Sequence, residues 1–176
     1  MQLLEVKDKA GIKEFLLLPV RLYKSDPNWI RPLDKDIEEI FDPEKNKYFR
    51  HGKAIRWILK DENGRTIGRV AAFINNKTAK TTEYITGGIG FFECINDQKA
   101  ANFLFDTSKK WLEENGMEAM DGPINFGERD KWWGLLVDGF IEPNYCMPYH
   151  FPYYQPLFEN YGFKVYFEQY TYHMKV

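Results

Sequence analysis

Apolar and polar positions form their clearest pattern near the middle of the chain. Residues 88–95 are an apolar, aromatic-rich run bounded by turn residues, which is typical of a buried strand. Asn96 and Asp97 then offer a helix N-cap, and apolar positions follow at helical spacing until Gly116, which suits a C′ glycine. Residues 117–120 form a second short strand. Because a helix-length segment joins the two strands, the pattern predicts a parallel pair, with ligands bound near the C-terminal strand ends.

The pattern before this unit predicts a β-hairpin and two helices. Residues 54–60 alternate between apolar and polar, Asn63-Gly64 is a hairpin signal, and residues 65–74 return as a central partner strand. The earlier segments are predicted as a strand over residues 3–6, a helix over 12–22 disturbed by Pro19, and a short acidic helix over 34–41.

The pattern after this unit is less regular. Residues 125–138 suggest a partly helical piece, and four prolines make residues 139–156 a loop. A short helix is predicted over residues 155–161, ended by Gly162, and a long final strand over 163–176. Together these elements predict one α/β (α+β) domain over residues 1–176, with a mixed, mostly antiparallel sheet flanked by helices.

Length, net charge and cysteine content limit the classes of function that the sequence favours. A length of 176 residues suits one compact domain, and a net charge of −2 gives no electrostatic reason to expect nucleic acid. Cys94 and Cys146 lack metal-like spacing, and two unpaired thiols suit a reducing compartment. No apolar run approaches the ~20 residues that cross a membrane, and no signal-peptide pattern is present, so we expect a cytoplasmic protein.

Several blocks of the sequence carry a resemblance to a known superfamily. They are residues 64–72, 90–95, 122–126, 134–140, 152–154 and 159–163. With the order of elements, they make the chain similar to the GNAT acyl-CoA N-acyltransferases, and more narrowly to a bacterial, uncharacterised subfamily of them. The resemblance covers nearly the whole chain from Pro32 onward and implies a GNAT-like fold. Because members of that subfamily are usually longer, it leaves open a single domain or one lobe of a longer protein. Unpaired edges and exposed tyrosines on the predicted final strand would suit a homodimer or a second lobe.

The resemblance implies transfer of an acyl group from acyl-CoA to an amine, without a metal. At pH 7 only about one amine in a thousand is neutral, so a general base helps most. Glu93, at the strand end beside the predicted cleft, is the expected base. In the family, a tyrosine that acts as the general acid commonly stands where this chain has Phe158. The resemblance therefore leaves Tyr154 or Tyr161 as the general acid.

The resemblance also assigns residues to acyl-CoA. Backbone N–H groups near the end of the central strand would hold the thioester oxygen, and the start of the following helix would hold the phosphates. The residues expected to bind the cofactor are Cys94, Ile95, Gln98, Lys99, Ala100 and Asn125. The helix start lacks the family's glycines, and Asp97 there would repel a phosphate while it caps the helix.

The alternative is a non-catalytic GNAT-like module that binds a ligand or a partner protein. Phe158 and the glycine-free loop are the departures that such a module would show. An open cleft between the two parallel strands would favour the enzyme, whereas a cleft filled by side chains would favour the module. Three further acid–base candidates, Glu128, Asp130 and His150, are more simply explained as structural residues.

Overall fold

A five-stranded sheet forms the centre of the computed structural model, which describes residues 1–81, 83–172 and 174. The strands, in sheet order, are β1 (Gln2–Glu5), β2 (Gly52–Lys60), β3 (Thr66–Asn75), β4 (Thr86–Cys94) and β5 (Ala119–Asp121). Neighbours are antiparallel from β1 to β4, and β4 and β5 are parallel. The predicted mixed, mostly antiparallel sheet and its parallel pair are confirmed.

Helices cover both faces of the sheet. They are α1 (Lys9–Leu22), α2 (Asp34–Ile40), α3 (Gln98–Glu114) and α4 (Tyr154–Tyr161), with a short 3₁₀ helix at Lys47–Arg50. Asp8 and Asp97 cap α1 and α3 through side-chain oxygens, and Gly162 ends α4 with φ 113°. The predicted cap at Asp97 and the predicted end at Gly162 are therefore confirmed, whereas the Asp8 cap was not predicted. Helix α1 continues through Pro19.

The two faces of the sheet pack against different helices. Trp57 and Leu59 of β2 belong to the large core that includes α3 and α4, whereas Ile58 between them packs with Phe15 and Ile37 of α1 and α2. This alternation is the one that the sequence predicts for residues 54–60. The hairpin turn is also confirmed, since Gly64 has φ 76°.

The predicted helical piece over residues 125–138 is wrong. Trp132 and Gly134 have positive φ values of 42° and 93°. The Trp132 N–H donates to the Cys146 carbonyl at 2.7 Å, and the Gly134 N–H donates to the Pro123 carbonyl at 2.8 Å. Because these N–H groups bond to carbonyls outside the local turn, they cannot form the i to i−4 ladder of a helix.

The predicted final strand over residues 163–176 is also not formed in its described part. Residues 164–172 are exposed and irregular, and Tyr172 is 88% exposed. A strand needs a neighbour for its N–H and C=O groups, and no described segment pairs with this one. Residues 173, 175 and 176 of that prediction lie outside the described residues. Over the part of the chain that is described, no helix is long and apolar enough to span a bilayer.

Candidate functional site

An extra residue interrupts β4. Arg69 and Ala71 of β3 stand opposite Glu93 and Gly90, so two steps along β3 match three steps along β4. Phe91, inside this bulge, has φ 50°. The pairing between β4 and β5 covers only the β4 residues 86–88. A bulge bends its strand and redirects the following side chains, so the end of β4 lacks β5 as a neighbour.

The chain after β5 crosses over β4 at the bulge. The Ile124 N–H donates to the Ile89 carbonyl at 2.7 Å. A Cβ added at Gly90 would lie 1.9 Å from the Ile124 carbonyl oxygen, so only glycine permits this approach. Phe126 then packs on Phe73, with ring centroids 5.6 Å apart. The crossing therefore takes the chain away from the C-terminal end of β4.

Two tyrosines from the start of α4 take the place of a neighbouring strand. The Cys94 N–H donates to the Tyr154 hydroxyl at 3.1 Å, and the Tyr153 hydroxyl donates to the Cys94 carbonyl at 2.8 Å. The last backbone groups of β4 are thus bonded to side chains. Tyr154 is fully buried, and Phe158 lies one turn later on the same helix against Phe92.

The Glu93 carboxylate is the centre of a buried polar cluster. Its Oε2 accepts hydrogen bonds from the hydroxyls of Tyr23 at 2.9 Å and Tyr154 at 2.8 Å, and its Oε1 lies 3.6 Å from Arg69 Nη2. Burial raises the pKa of Glu93, while the Arg69 charge and the two hydroxyls oppose that rise. Burial and the Glu93 charge raise the pKa of both tyrosines, so their hydroxyls remain protonated donors.

Arg69 is held in the cluster by a backbone carbonyl that Pro19 leaves without its helical partner. Proline has no N–H, so the Phe15 carbonyl one turn earlier in α1 loses its helical partner. Arg69 Nη1 donates to that carbonyl at 2.7 Å. The guanidinium also lies over the Phe15 ring, 4.7 Å from its centroid. The proline that was expected to disturb α1 thus provides the acceptor that positions Arg69 beside Glu93.

A cavity of about 70 Å³ adjoins this cluster. Its charged or titratable lining residues are Arg69, Glu93, Tyr149 and His150. His150 Nδ1 accepts a hydrogen bond from the Leu136 N–H at 3.0 Å, and burial lowers its pKa to about 3. The apolar part of the lining includes Trp29, Ile30, Ile37, Phe91, Trp132 and Met147. The arrangement can bind a small polar group inside an apolar wall.

Two of the expected acid–base residues lie together and one lies apart. Glu93 lines this cavity and accepts a hydrogen bond from the Tyr154 hydroxyl behind it in the cluster. Tyr161 instead donates to Asp106 of α3 at 2.8 Å and packs on Phe105. Glu128 is exposed and 3.2 Å from Lys47 Nζ, and it does not line the cavity. Of the two proposed acids, Tyr154 is therefore the one in contact with Glu93.

The backbone groups expected to hold acyl-CoA already have partners. The Cys94 N–H bonds to Tyr154, and the Ile95 N–H donates to the Ile67 carbonyl at 3.0 Å. The N–H groups of Lys99 and Ala100 donate to the Asp97 carboxylate at 2.7 and 3.2 Å. An anion at the start of α3 would therefore compete with the Asp97 carboxylate.

Gln98 and Asn125 have different surroundings. Gln98 Nε2 donates to the Leu157 carbonyl at 3.0 Å, so this side chain joins α3 to α4. Asn125 is 4% exposed, and its Oδ1 lacks a hydrogen-bond partner within the described residues. In the same part of the chain, no group of three or more His, Cys, Asp or Glu side chains could hold a metal ion.

Sequence reasoning missed Tyr23 and Arg69 as parts of the site, and it treated His150 as structural. Tyr23 reaches Glu93 from 70 residues away in the chain, so no local spacing connects them. Arg69 carried a usable signal. It lies inside a predicted buried strand, where a charged side chain requires an opposite charge nearby.

Comparison with known proteins identifies two bacterial relatives. The chain is 33% identical over 165 residues to the bacterial ceramide synthase of Caulobacter vibrioides, across 93% of this chain and 42% of that protein. It is 31% identical over 157 residues to Protein YghO of Escherichia coli, across 89% of this chain and 40% of that protein. The chain thus spans about two fifths of the length of these relatives. No family model matches the sequence.

Solved structures identify the fold. The aminoglycoside 6′-N-acetyltransferase AAC(6′)-Ih of Acinetobacter baumannii superposes with a TM-score of 0.57 at 9% identity, across 99% of this chain and 98% of that one. At this identity the likeness concerns the fold alone. The GNAT-like fold implied by the sequence resemblance is confirmed, and the two bacterial relatives support the resemblance to a bacterial subfamily.

Proposed function

We propose that this chain transfers a fatty acyl group from acyl-CoA to the amine of a long-chain amino alcohol. The observation that carries this proposal is the buried Glu93 carboxylate at an apolar-walled cavity, hydrogen-bonded to the Tyr154 hydroxyl. The GNAT-like fold supports acyl transfer. The ceramide synthase relative supports the substrates, because a ceramide is the amide of a fatty acid and a long-chain amino alcohol.

In this proposal Glu93 accepts the proton that the amine must lose. The amine nitrogen attacks the thioester carbonyl, a C–N bond forms, and the C–S bond breaks as the thiolate leaves. Tyr154 donates its proton to the departing sulfur and is reprotonated by Glu93 through the hydrogen bond that joins them. Arg69 keeps the carboxylate in place, and the Tyr23 hydroxyl donates a second hydrogen bond to Oε2. A general base of this kind contributes about 10²–10⁴-fold in rate.

The assignment of acyl-CoA contacts remains part of the proposal. Its thioester would lie beside the Cys94 and Ile95 backbone, and its phosphates near Gln98, Lys99 and Ala100, with Asn125 as a further contact. Binding there requires the Tyr154 hydroxyl to leave the Cys94 N–H and the phosphates to compete with Asp97. A cytoplasmic location belongs to the same proposal, as does a second copy or lobe that completes the site.

The test combines binding with turnover. The purified chain is titrated calorimetrically with acetyl-CoA, a long-chain acyl-CoA and free coenzyme A, and amide formation with a long-chain amino alcohol is followed by mass spectrometry. We expect amide product, and a rate at least about 100-fold lower for Glu93→Gln. Glu128→Gln is the matched control, since that carboxylate is exposed and away from the cavity. An unchanged rate for Glu93→Gln would show that Glu93 is not the general base.

One observation favours the second candidate, a non-catalytic GNAT-like binding module. The gap beside the end of β4 is filled by the Tyr153 and Tyr154 side chains, which bond to both backbone groups of Cys94. A site closed in this way fits a module that no longer admits a thioester. The mass-spectrometric turnover assay separates the two candidates, because a module without turnover yields no amide from any acyl-CoA.

A further inference from the structure

His150 has one ring nitrogen bonded and the other free. Nδ1 accepts the hydrogen bond from the Leu136 N–H, so the proton of the neutral ring is on Nε2. Burial keeps the ring neutral by lowering its pKa. Nδ1 is the His150 nitrogen that is hydrogen-bonded within the described part of the chain, and Nε2 makes no hydrogen bond there. A neutral N–H donor without an acceptor is therefore present on a residue that lines the cavity.

The other polar residues of the cavity have partners of their own. Glu93 can only accept hydrogen bonds while it is ionised, and the Tyr149 hydroxyl donates to Asp26. The two Nη atoms of Arg69 contact Glu93 and the Phe15 carbonyl, whereas Arg69 Nε has no partner within the described residues. A molecule that bonds to both residues needs an N–H group for the Glu93 carboxylate and an oxygen acceptor for the His150 Nε2–H group. An amine with an oxygen on the neighbouring carbon has both groups in one small head.

We infer that His150 donates a hydrogen bond from Nε2 to the oxygen beside the acceptor amine and thereby selects amino alcohols over plain alkylamines. This inference rests on the proposed function. It gives His150 a binding role rather than that of a base, because the Leu136 N–H already occupies Nδ1. An alkylamine offers no acceptor to the Nε2–H group, so it forms one hydrogen bond fewer than the amino alcohol in this site.

The test uses two variants that separate the ring nitrogens. His150→Asn places an amide oxygen where Nδ1 accepts the hydrogen bond from the Leu136 N–H. The same variant removes the N–H group at the distal position, which is Nε2 in histidine. His150→Gln can return an N–H to the distal position. Both variants and the unaltered chain are assayed with dodecylamine and with the matching dodecyl amino alcohol, using one long-chain acyl-CoA. We expect His150→Asn to lower kcat/KM about tenfold for the amino alcohol, with little change for dodecylamine, and His150→Gln to retain most of the preference.

Three outcomes would overturn the inference. An equal loss for both acceptors in His150→Asn would indicate a purely structural role, as would an unaltered chain without a preference. A ¹⁵N NMR spectrum that places the His150 proton on Nδ1 would remove the donor itself, whatever the activity. Absence of transfer to either acceptor by the unaltered chain would instead overturn the proposed function, and the inference with it.

Discussion

The two halves of β4 have opposite surroundings. Before the bulge, residues 86–88 are paired with β3 or β5, and glycine lets neighbouring chains approach closely. After the bulge, Glu93 and Cys94 have hydroxyl groups where a strand would lie. The first half is closed by backbone atoms, which a ligand cannot displace without unfolding the sheet. The second half is closed by side chains, which can move.

This comparison shows what the bulge provides. One extra residue at Phe91 ends the β4–β5 pairing and leaves a buried carboxylate beside a cavity. The packing of the first half resists change because its contacts are rigid. The polar groups of the second half interact through a few hydrogen bonds that single substitutions can remove.

The largest effect is expected from breaking the ion pair after the bulge. Arg69→Met leaves the buried Glu93 carboxylate without its counter-charge, which should lower the free energy of unfolding by about 3–5 kcal/mol. Urea denaturation at pH 7 measures this loss. The double variant Arg69→Met, Glu93→Gln should recover most of it, and a double variant as unstable as the single one would contradict the explanation.

A substitution before the bulge should cost somewhat less. Gly90→Ala forces a Cβ into the Ile124 carbonyl oxygen, and we expect a loss of about 3 kcal/mol in the free energy of unfolding. Gly64→Ala is the control, because its Cβ would meet nothing within 4 Å and only the positive φ is strained. That control should lose about 1 kcal/mol. Equal losses in denaturant titrations would show that the close crossing is unimportant.

Removing single hydroxyl groups after the bulge should have graded effects. Tyr154→Phe leaves the buried Cys94 N–H unpaired and takes one donor from Glu93, so a loss of about 1–3 kcal/mol is expected. Tyr153→Phe removes one bond from a half-buried residue and should cost about 1 kcal/mol. Thermal unfolding of the two variants side by side checks this order, which a larger loss for Tyr153→Phe would reverse.

The last effect concerns pH, and its size depends on how far the pH is lowered. His150 has a pKa of about 3 in the folded chain, against roughly 6.5 when unfolded. Between these values the unfolded chain binds the extra proton, so stability is complete above about pH 6.5 and falls as the pH decreases. The unaltered chain should lose up to about 1.4 kcal/mol per pH unit relative to His150→Asn. Parallel curves for the two proteins from pH 7 to 5 would contradict a buried neutral histidine.

Sequence by itself determined the elements whose signals are local. Asp97 caps α3 and Gly162 ends α4 because a cap is formed within a few residues of itself. The parallel unit and the hairpin at Gly64 followed from alternation and connection length. The same local pattern pointed to Glu93 as a polar residue at the end of a buried strand.

Only the tertiary structure decided how Glu93 is used. Tyr23 and Tyr154 reach it from 70 and 61 residues away, and Arg69 is positioned by a carbonyl that Pro19 left free. Residues 125–138 have a helix-like composition, yet their N–H groups bond to distant carbonyls. The physical reason is the same in each case. A hydrogen-bond donor takes the acceptor that the folded chain brings within about 3 Å, and sequence spacing limits that choice only within one helix or turn.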